Sequence, residues 1–549
     1  MDCDGEPLAR GERVAHRCGT DGPLGGVESI RVVRRVAFDG SERTHYRPNT
    51  VMIELTGELT TDEIAAIARE NAAVTLSAGA AERMEETRTV VKEVVSQDDY
   101  HIYGVNAGVG DLHDESISRT QLQEMQENII ESTITAVEPV ASTAVTRAAM
   151  VTKANALATG RSGVRPELVD TLCTLLNEGV QPRIYLGGST DDLTAIAHVG
   201  LLLLGKGEAE IDGEVVSGEA ALERAGLAPV ELAPKEAMSL VSGTSVMTGM
   251  LALGVHEIDR LVRSADIVSA LTFELVGDAP ETFASRVSNV RPHDGHATTA
   301  ANVRALLERD VDGSAAEMVQ DPLSLRVIPQ VHGTVRSHLR FARDTVDTEL
   351  RSASDNPLVF PDGEIYSCGT FNGQPIASAA DSLRTVVTKL GSLSESRNKL
   401  LLQDRQDEFP FLAANPGVES GLMMVQYTSG GLLAETLATD SVSDQSVTVS
   451  GGQEDIHSMG TISVRALAET IDTVSQMLAI ELLCANRHHN LTDEDAVGPT
   501  LEALLAHVDG VIEDPVEDTP TLGYISTLAE RIQTGEIIDV VESNGVDID

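Results

Sequence analysis

The chain has 549 residues, with 86 Asp+Glu against 40 Lys+Arg and a formal net charge of −46. That acidity excludes a nucleic-acid-binding protein, which needs a positive surface to displace phosphate counterions, and an anionic membrane surface repels the chain for the same reason. At 42% hydrophobic residues the chain can bury a large core, so bulk disorder is excluded as well. The acid excess comes with few Lys, no Trp and 3% aromatic residues, a profile that resembles halophilic proteins, whose high-salt cytoplasm screens self-repulsion.

Residues 1–50 differ from the rest. They hold eight Arg and eight acidic residues, so the remaining chain carries the whole net charge. The start, Met1-Asp2-Cys3-Asp4, has no apolar core of a signal peptide. Cys3, His16, Cys18 and His45 match no zinc spacing, so no metal is expected. The segment reads as a poorly ordered extension, with the folded part beginning near Met52. The five cysteines (Cys3, Cys18, Cys173, Cys368, Cys484) are odd in number and widely spaced, which fits a reduced, cytoplasmic protein.

From Val51 onward the pattern is mainly α. Thr60 and Glu63 form a capping box ahead of Ile64 and Ile67. Pro166 opens a helix with Leu168, Val169, Leu172, Leu175 and Leu176 on one face, closed by Gly179. Leu193 to Leu204 reads as a helix that Asp191 and Asp192 cap. Leu383, Val386, Val387, Leu390 and Leu393 repeat the helical spacing, and Ile462 to Cys484 runs as one long helix. Helices of this length imply a bundle core with oligomer contacts along it. No segment approaches the roughly 20 apolar residues of a membrane helix; Val199 to Leu204 is the most apolar stretch.

The stretches that carry chemistry are dispersed. Tyr103-Gly104-Val105-Asn106-Ala107-Gly108-Val109-Gly110 sets a tyrosine in a glycine-laden loop, where a Tyr is more often structural than functional. Further on come Lys153-Ala154-Asn155, Ser162-Gly163-Val164-Arg165-Pro166, Gly187-Gly188-Ser189-Thr190-Asp191-Asp192-Leu193 and Gly243-Thr244. Then follow Gln320-Asp321-Pro322-Leu323-Ser324-Leu325-Arg326, Ser354-Asp355-Asn356-Pro357 and Gln453-Glu454-Asp455.

In this order and spacing, the motifs resemble the aromatic amino-acid ammonia-lyase family, most closely its histidine ammonia-lyase branch, from about Val51 to about Leu491. The resemblance implies a mainly α long-helix bundle, in which residues 51–270 are an N-terminal portion carrying the Tyr loop and 271–549 a C-terminal helical portion. It also implies a homotetramer with shared active sites, acting on a small amino acid by α,β-elimination of ammonia. The family's electrophile is a methylidene-imidazolone ring made from its own Ala-Ser-Gly. Here the triad positions hold Ser189, Thr190 and Asp191. Thr190 would give a crowded, methyl-bearing alkene, and Asp191 sets a Cβ where cyclisation needs the freedom of Gly. The ring is therefore expected to be absent.

Other family positions divide. By resemblance Tyr103 is the general base, Arg326 the substrate-carboxylate clamp, and Glu454 the contact to an imidazole ring nitrogen. Asn155, Gln320 and Phe371 match pocket positions. The family's Asn before Gly-Thr is Ser242, the tyrosine of its Gln-Asp-x-Tyr motif is Leu323, and its selectivity position falls on Thr133. Asp192 matches the family's own structural Asp, whereas Asp191 would face a cationic substrate nitrogen. Tyr103 would need a pKa lowered toward neutrality. Three readings stand: elimination without the ring, from a histidine-like amino acid or a betaine, as in the family's outlier ergothionase; an ordinary histidine or aromatic ammonia-lyase; and a non-catalytic binding or assembly relative.

Overall fold

The computed structural model describes residues 52–97, 101–309, 311, 319–492 and 497–549. The expectations for residues 1–50 lie outside these residues. From Met52 to Asp549 the chain forms one compact unit. Its centre is four long helices: Ser245–Val276, Ile328–Glu349, Gln374–Asp404 and Gly460–Leu491. The last two pack along one another, and Ser245–Val276 lies against both of them and against Ile328–Glu349.

Ser245–Val276 is apolar nearly all round because it is surrounded nearly all round; Val246, Leu251, Val255, Ile258, Leu261 and Val268 are buried. Glu236–Val276 has a mean hydropathy of 1.5 over an 18-residue window, long and apolar enough to cross a membrane by composition alone, but that window is wholly buried in the bundle. This corrects the expectation that no segment reaches that threshold: core packing demands the same apolarity. Helix Thr143–Ala158 comes so close that a Cβ on Gly249 would lie 2.8 Å from the Ala148 carbonyl carbon.

Buried charges tie the bundle. Arg397 meets Glu481 through two hydrogen bonds of 2.6 and 2.9 Å, and Thr272 adds a third at 2.7 Å. These bonds join three of the long helices. Ser245–Val276 runs through the 270/271 limit between the two expected portions and carries Thr272 into that cluster.

The local helix signals are where the sequence put them. Thr60 and Glu63 make the reciprocal capping box of Thr61–Arg69. Pro166–Asn177 starts on its proline, buries the expected leucines, and ends just before Gly179, whose φ is +67°. Gly460–Leu491 runs beyond Cys484 because its polar end finds partners: Arg487 bonds Asp518 at 3.0 Å and His488 bonds Asp404 at 3.0 Å. Strands are short. Met52–Leu55 pairs in parallel with Ala73–Leu76, and Val137–Val140 runs antiparallel to Tyr185–Gly187, which leads into the Ser189-Thr190-Asp191 segment.

Candidate active site

The Tyr103 loop closes on itself. The Ile102 carbonyl accepts from the backbone of Val105, Asn106 and Ala107, and the Asn106 side chain accepts from Ile102 N at 2.7 Å. Tyr103 Oη accepts from Gly110 N at 3.0 Å. Gly110 has φ +59°, and a Cβ there would lie 2.4 Å from Ser450 Oγ. That close approach lets Asp111 N donate to Ser450 Oγ at 3.2 Å, which docks the loop on Ser450–Gly452. Burial pushes the Tyr103 phenol up from its ordinary value, the Gly110 N–H pulls it back, and the nearby Glu454 charge raises it further. This is opposite to the lowered value expected of a resident phenolate, because burial outweighs the Gly110 N–H and the neighbouring charge is an anion rather than a cation.

The triad segment follows strand Tyr185–Gly187, whose Leu186 carbonyl accepts from Arg465 at 3.3 Å. Ser189 Oγ donates to the Asp191 carbonyl and accepts from Thr194 Oγ1 at 2.9 Å. One Asp191 carboxylate oxygen accepts from His457 Nδ1 at 2.7 Å, and the other from Ser458 Oγ. Thr190 Oγ1 lies 3.3 Å from the same Nδ1. The far ring nitrogen, His457 Nε2, is buried and has no hydrogen-bond partner.

Asp192 is fully buried. It makes no side-chain cap on Leu193–Leu203. Instead its carboxylate accepts from Val246 N, from Met247 N at 3.0 Å and from Thr461 Oγ1 at 3.1 Å. The expected cap is thus corrected: neither aspartate caps the helix that follows it. Asp192 holds the first turn of Ser245–Val276, where the macrodipole favours an anion, and Asp191 turns toward His457. Burial nevertheless wins at Asp192 and pushes its carboxyl up to about 7, against the pull of the two backbone N–H groups and Lys153.

The remaining predicted residues fall in several places. Asn155 is buried in the frame; its oxygen accepts from Gly57 N at 3.1 Å and its nitrogen donates to the Leu350 carbonyl at 2.7 Å. Within this chain both ends of its amide serve backbone. Ser242 ends helix Glu236–Val241, and its carbonyl accepts from the buried Lys153 ammonium. Burial lowers Lys153 to about 8, partly offset by Asp355. Thr133 closes Leu122–Thr133 and donates back to the Ile129 carbonyl at 2.7 Å. The loop carrying the half-exposed Phe371 passes Met247 and Ser458 at Gly373, so it lies at the Asp191 end of the bundle.

Arg326 lies at the other end. Its Nε donates to the Asp321 carbonyl at 2.7 Å. The Asp321 carboxylate in turn accepts from Asp278 N at 3.0 Å and Ala279 N at 2.8 Å, just past the C-terminus of Ser245–Val276. Asp192 holds the N-terminus of that same 32-residue helix. At 1.5 Å per residue the two ends stand about 48 Å apart. Gln320 and Leu323 are exposed beside Arg326. One chain therefore brings together Tyr103, Glu454 and the Asp191–His457 pair at one end, and holds Arg326 with Gln320 at the other.

His457 is the residue that sequence reasoning missed. It stands three residues beyond Glu454, but nothing in that spacing shows a partner 266 positions upstream. Among the described residues no group of three or more His, Cys, Asp or Glu is placed to hold a metal ion.

The model of the family described as aromatic amino acid lyase matches residues 59–510. The chain is 37% identical over 500 residues to a histidine ammonia-lyase of Symbiobacterium thermophilum, covering 89% of this chain and 98% of that one. Tyrosine aminomutase from Streptomyces globisporus aligns with a TM-score of 0.86 at 32% identity, over 91% of this chain and 100% of the other. Ergothionase from Treponema denticola, solved with desmethyl-ergothioneine sulfonic acid, aligns with a TM-score of 0.83 at 25% identity, over 89% and 100% of the two chains.

Proposed function

Because the chain belongs to the aromatic amino acid lyase family and is a carbon–nitrogen lyase, we propose that it eliminates an amine from a histidine-like amino acid or its betaine without a methylidene-imidazolone electrophile. The observation that carries this reading is the environment of Asp191. Cyclisation joins the nitrogen of the third triad residue to the carbonyl carbon of the first. Here the third residue has a Cβ, and both of its carboxylate oxygens are hydrogen-bonded, to His457 and Ser458. Closing the ring would drag that anchored side chain with the backbone. The residues present do not fit the group, so no step passes through it.

The reaction then depends on a nitrogen that leaves as a neutral amine. Tyr103, as phenolate, takes the β-proton. The C–H electron pair becomes the α,β double bond, and the C–N pair departs with the nitrogen. An ammonium leaves as ammonia and a trimethylammonium as trimethylamine, so neither needs a further proton. The raised Tyr103 pKa makes the substrate's own positive charge part of the chemistry, since a cation brought beside the phenol favours its anion. Glu454, close enough to raise Tyr103 electrostatically, holds the imidazole-type ring.

Arg326 fixes the carboxylate with a bidentate guanidinium, and it does so from a second copy of the chain. The span of about 48 Å along one helix supports this arrangement, since an amino acid is far shorter than the distance between the two ends. A homotetramer is the assembly we propose. The exposed Met424, Tyr427 and Leu437 on helix Met423–Leu437 and Phe341 on Ile328–Glu349 give bundle faces for such contacts.

Two measurements test the proposal. The peptide spanning residues 180–200 should have its unmodified mass; loss of two waters would mean that the ring forms and that the chain works as an ordinary ammonia-lyase. In multimolar KCl, histidine, its trimethyl betaine and ergothioneine are offered in parallel while the near-ultraviolet absorbance of an acrylate is followed. Product from one of them with an unmodified triad supports the reading. A folded protein that turns over none of them defeats it.

A further inference from the structure

We infer that His457, oriented by Asp191, is the specificity-determining group that receives the substrate's α-nitrogen, and that it selects a nitrogen bearing at least one N–H over a fully methylated one. This rests on the elimination reading only for the identity of the ligand as a histidine-like amine.

Each of the two Asp191 carboxylate oxygens already accepts one hydrogen bond, from His457 Nδ1 and Ser458 Oγ, whereas His457 Nε2 has no partner, so the unmet group at this corner is the imidazole. Asp191 acts through the imidazole and is a positioning residue. A carboxylate only accepts, so the 2.7 Å contact requires the proton on Nδ1. In an imidazole with its single proton on Nδ1, the lone pair lies on Nε2. Thr190, 3.3 Å from Nδ1, can share that proton but cannot move it.

Nε2 is buried and meets no partner, although the His457 side chain retains 12% exposure. A buried acceptor without a donor is costly, and a ligand that brings a donor recovers that cost. The dyad stands where the triad segment meets the Glu454 segment, next to the group assigned to the imidazole ring and at the Tyr103 end of the molecule. An α-ammonium reaching this corner finds a neutral imidazole acceptor backed by an anion. A primary, methyl or dimethyl ammonium can donate an N–H to Nε2, whereas a trimethylammonium has none to give.

The test is equilibrium binding to full-length protein in KCl, using the turnover-free Tyr103→Phe variant so that affinity is read without chemistry. The probes are histidine and its Nα-methyl, dimethyl and trimethyl forms. Affinity should drop by about tenfold at the step that removes the last N–H, the worth of one hydrogen bond. A purely steric pocket would instead lose affinity gradually with each methyl. In His457→Leu and His457→Gln, checked for native elution volume and circular dichroism, the step should vanish for Leu and shrink for Gln. A gradual decline, a step that survives His457→Leu, tightest binding of the betaine, or no binding of any probe overturns the inference. Wild-type protein that binds histidine with the step but yields no acrylate overturns the elimination reading alone.

Discussion

Mixing two inactive variants should restore activity. Tyr103→Phe removes the proposed base, and Arg326→Gln removes the proposed carboxylate clamp. In one chain these side chains are pinned to opposite ends of Ser245–Val276, Tyr103 at the end held by Asp192 and Arg326 at the end held by Asp321. That helix is about 48 Å long, many times the length of an amino acid, so under the proposed roles each substrate takes the two groups from different copies. When equal amounts are unfolded and refolded together, half of the copies carry Tyr103 and half carry Arg326. If copies assemble at random, about a quarter of the sites hold both, and the mixture should recover about a quarter of wild-type turnover. The assay is acrylate formation in KCl on the substrate that the wild-type protein uses, with mixed assembly verified by a tag on one variant. Tagged mixed oligomers that stay as inactive as either parent would refute the shared site. They would place base and clamp in one chain, against the span of the helix.

Other expectations follow from the titrating and buried groups. Because Tyr103 is raised above its ordinary 10.0 in the free protein, kcat/KM should climb with pH through the alkaline range, while the limb in kcat, read with cationic substrate bound, should lie lower; coincident limbs would remove the substrate's charge from the mechanism. Asp192 is raised from 3.8 to about 7, so its contribution to stability is complete below pH 3.8 and is lost as pH rises through about 7. Asp192→Asn should flatten that window of the stability–pH curve in denaturant titrations. It should also cost about 1–3 kcal/mol, because an amide NH2 then faces a backbone donor. Arg397→Met strands Glu481 in the bundle and should cost about 3–5 kcal/mol by the same titrations; a change within error would mean that the Arg397–Glu481 pair does not hold the bundle together.

Most of the fold was legible because its signals are local. A capping box is a contact between residues three apart, and Thr60 and Glu63 make it. Pro166 and Gly179 bracket their helix for reasons confined to one turn of backbone. What was not legible is what side chains do across the molecule. Nothing in the residues around 270 shows that Thr272 must reach Glu481. The Asn155 motif points to a pocket position, and nothing in it shows that its amide, at 1% exposure, is held by Gly57 and Leu350. The membrane criterion could not separate a helix wrapped in protein from one wrapped in lipid, since both environments ask for the same side chains.

Asp191 and Asp192 show why adjacent positions can carry different chemistry. Successive residues entering a helix point in different directions, so a single step along the chain sends one carboxylate inward and the other toward the loop that holds Glu454 and His457. Asp192 arrives among backbone donors at the start of the longest apolar helix, where burial favours its protonated form. Its task there is to fix that helix end, and with it the reference point from which Arg326 is held away. Asp191 keeps part of its surface in solvent and takes a histidine and a serine as donors. A glycine at 191 would leave His457 free to turn and its tautomer unset. On the ring-free reading proposed above, the residue that obstructs the ring at the third triad position is the same residue that orients the imidazole beside it. On that reading, loss of the electrophile and gain of the dyad are one substitution seen from two sides.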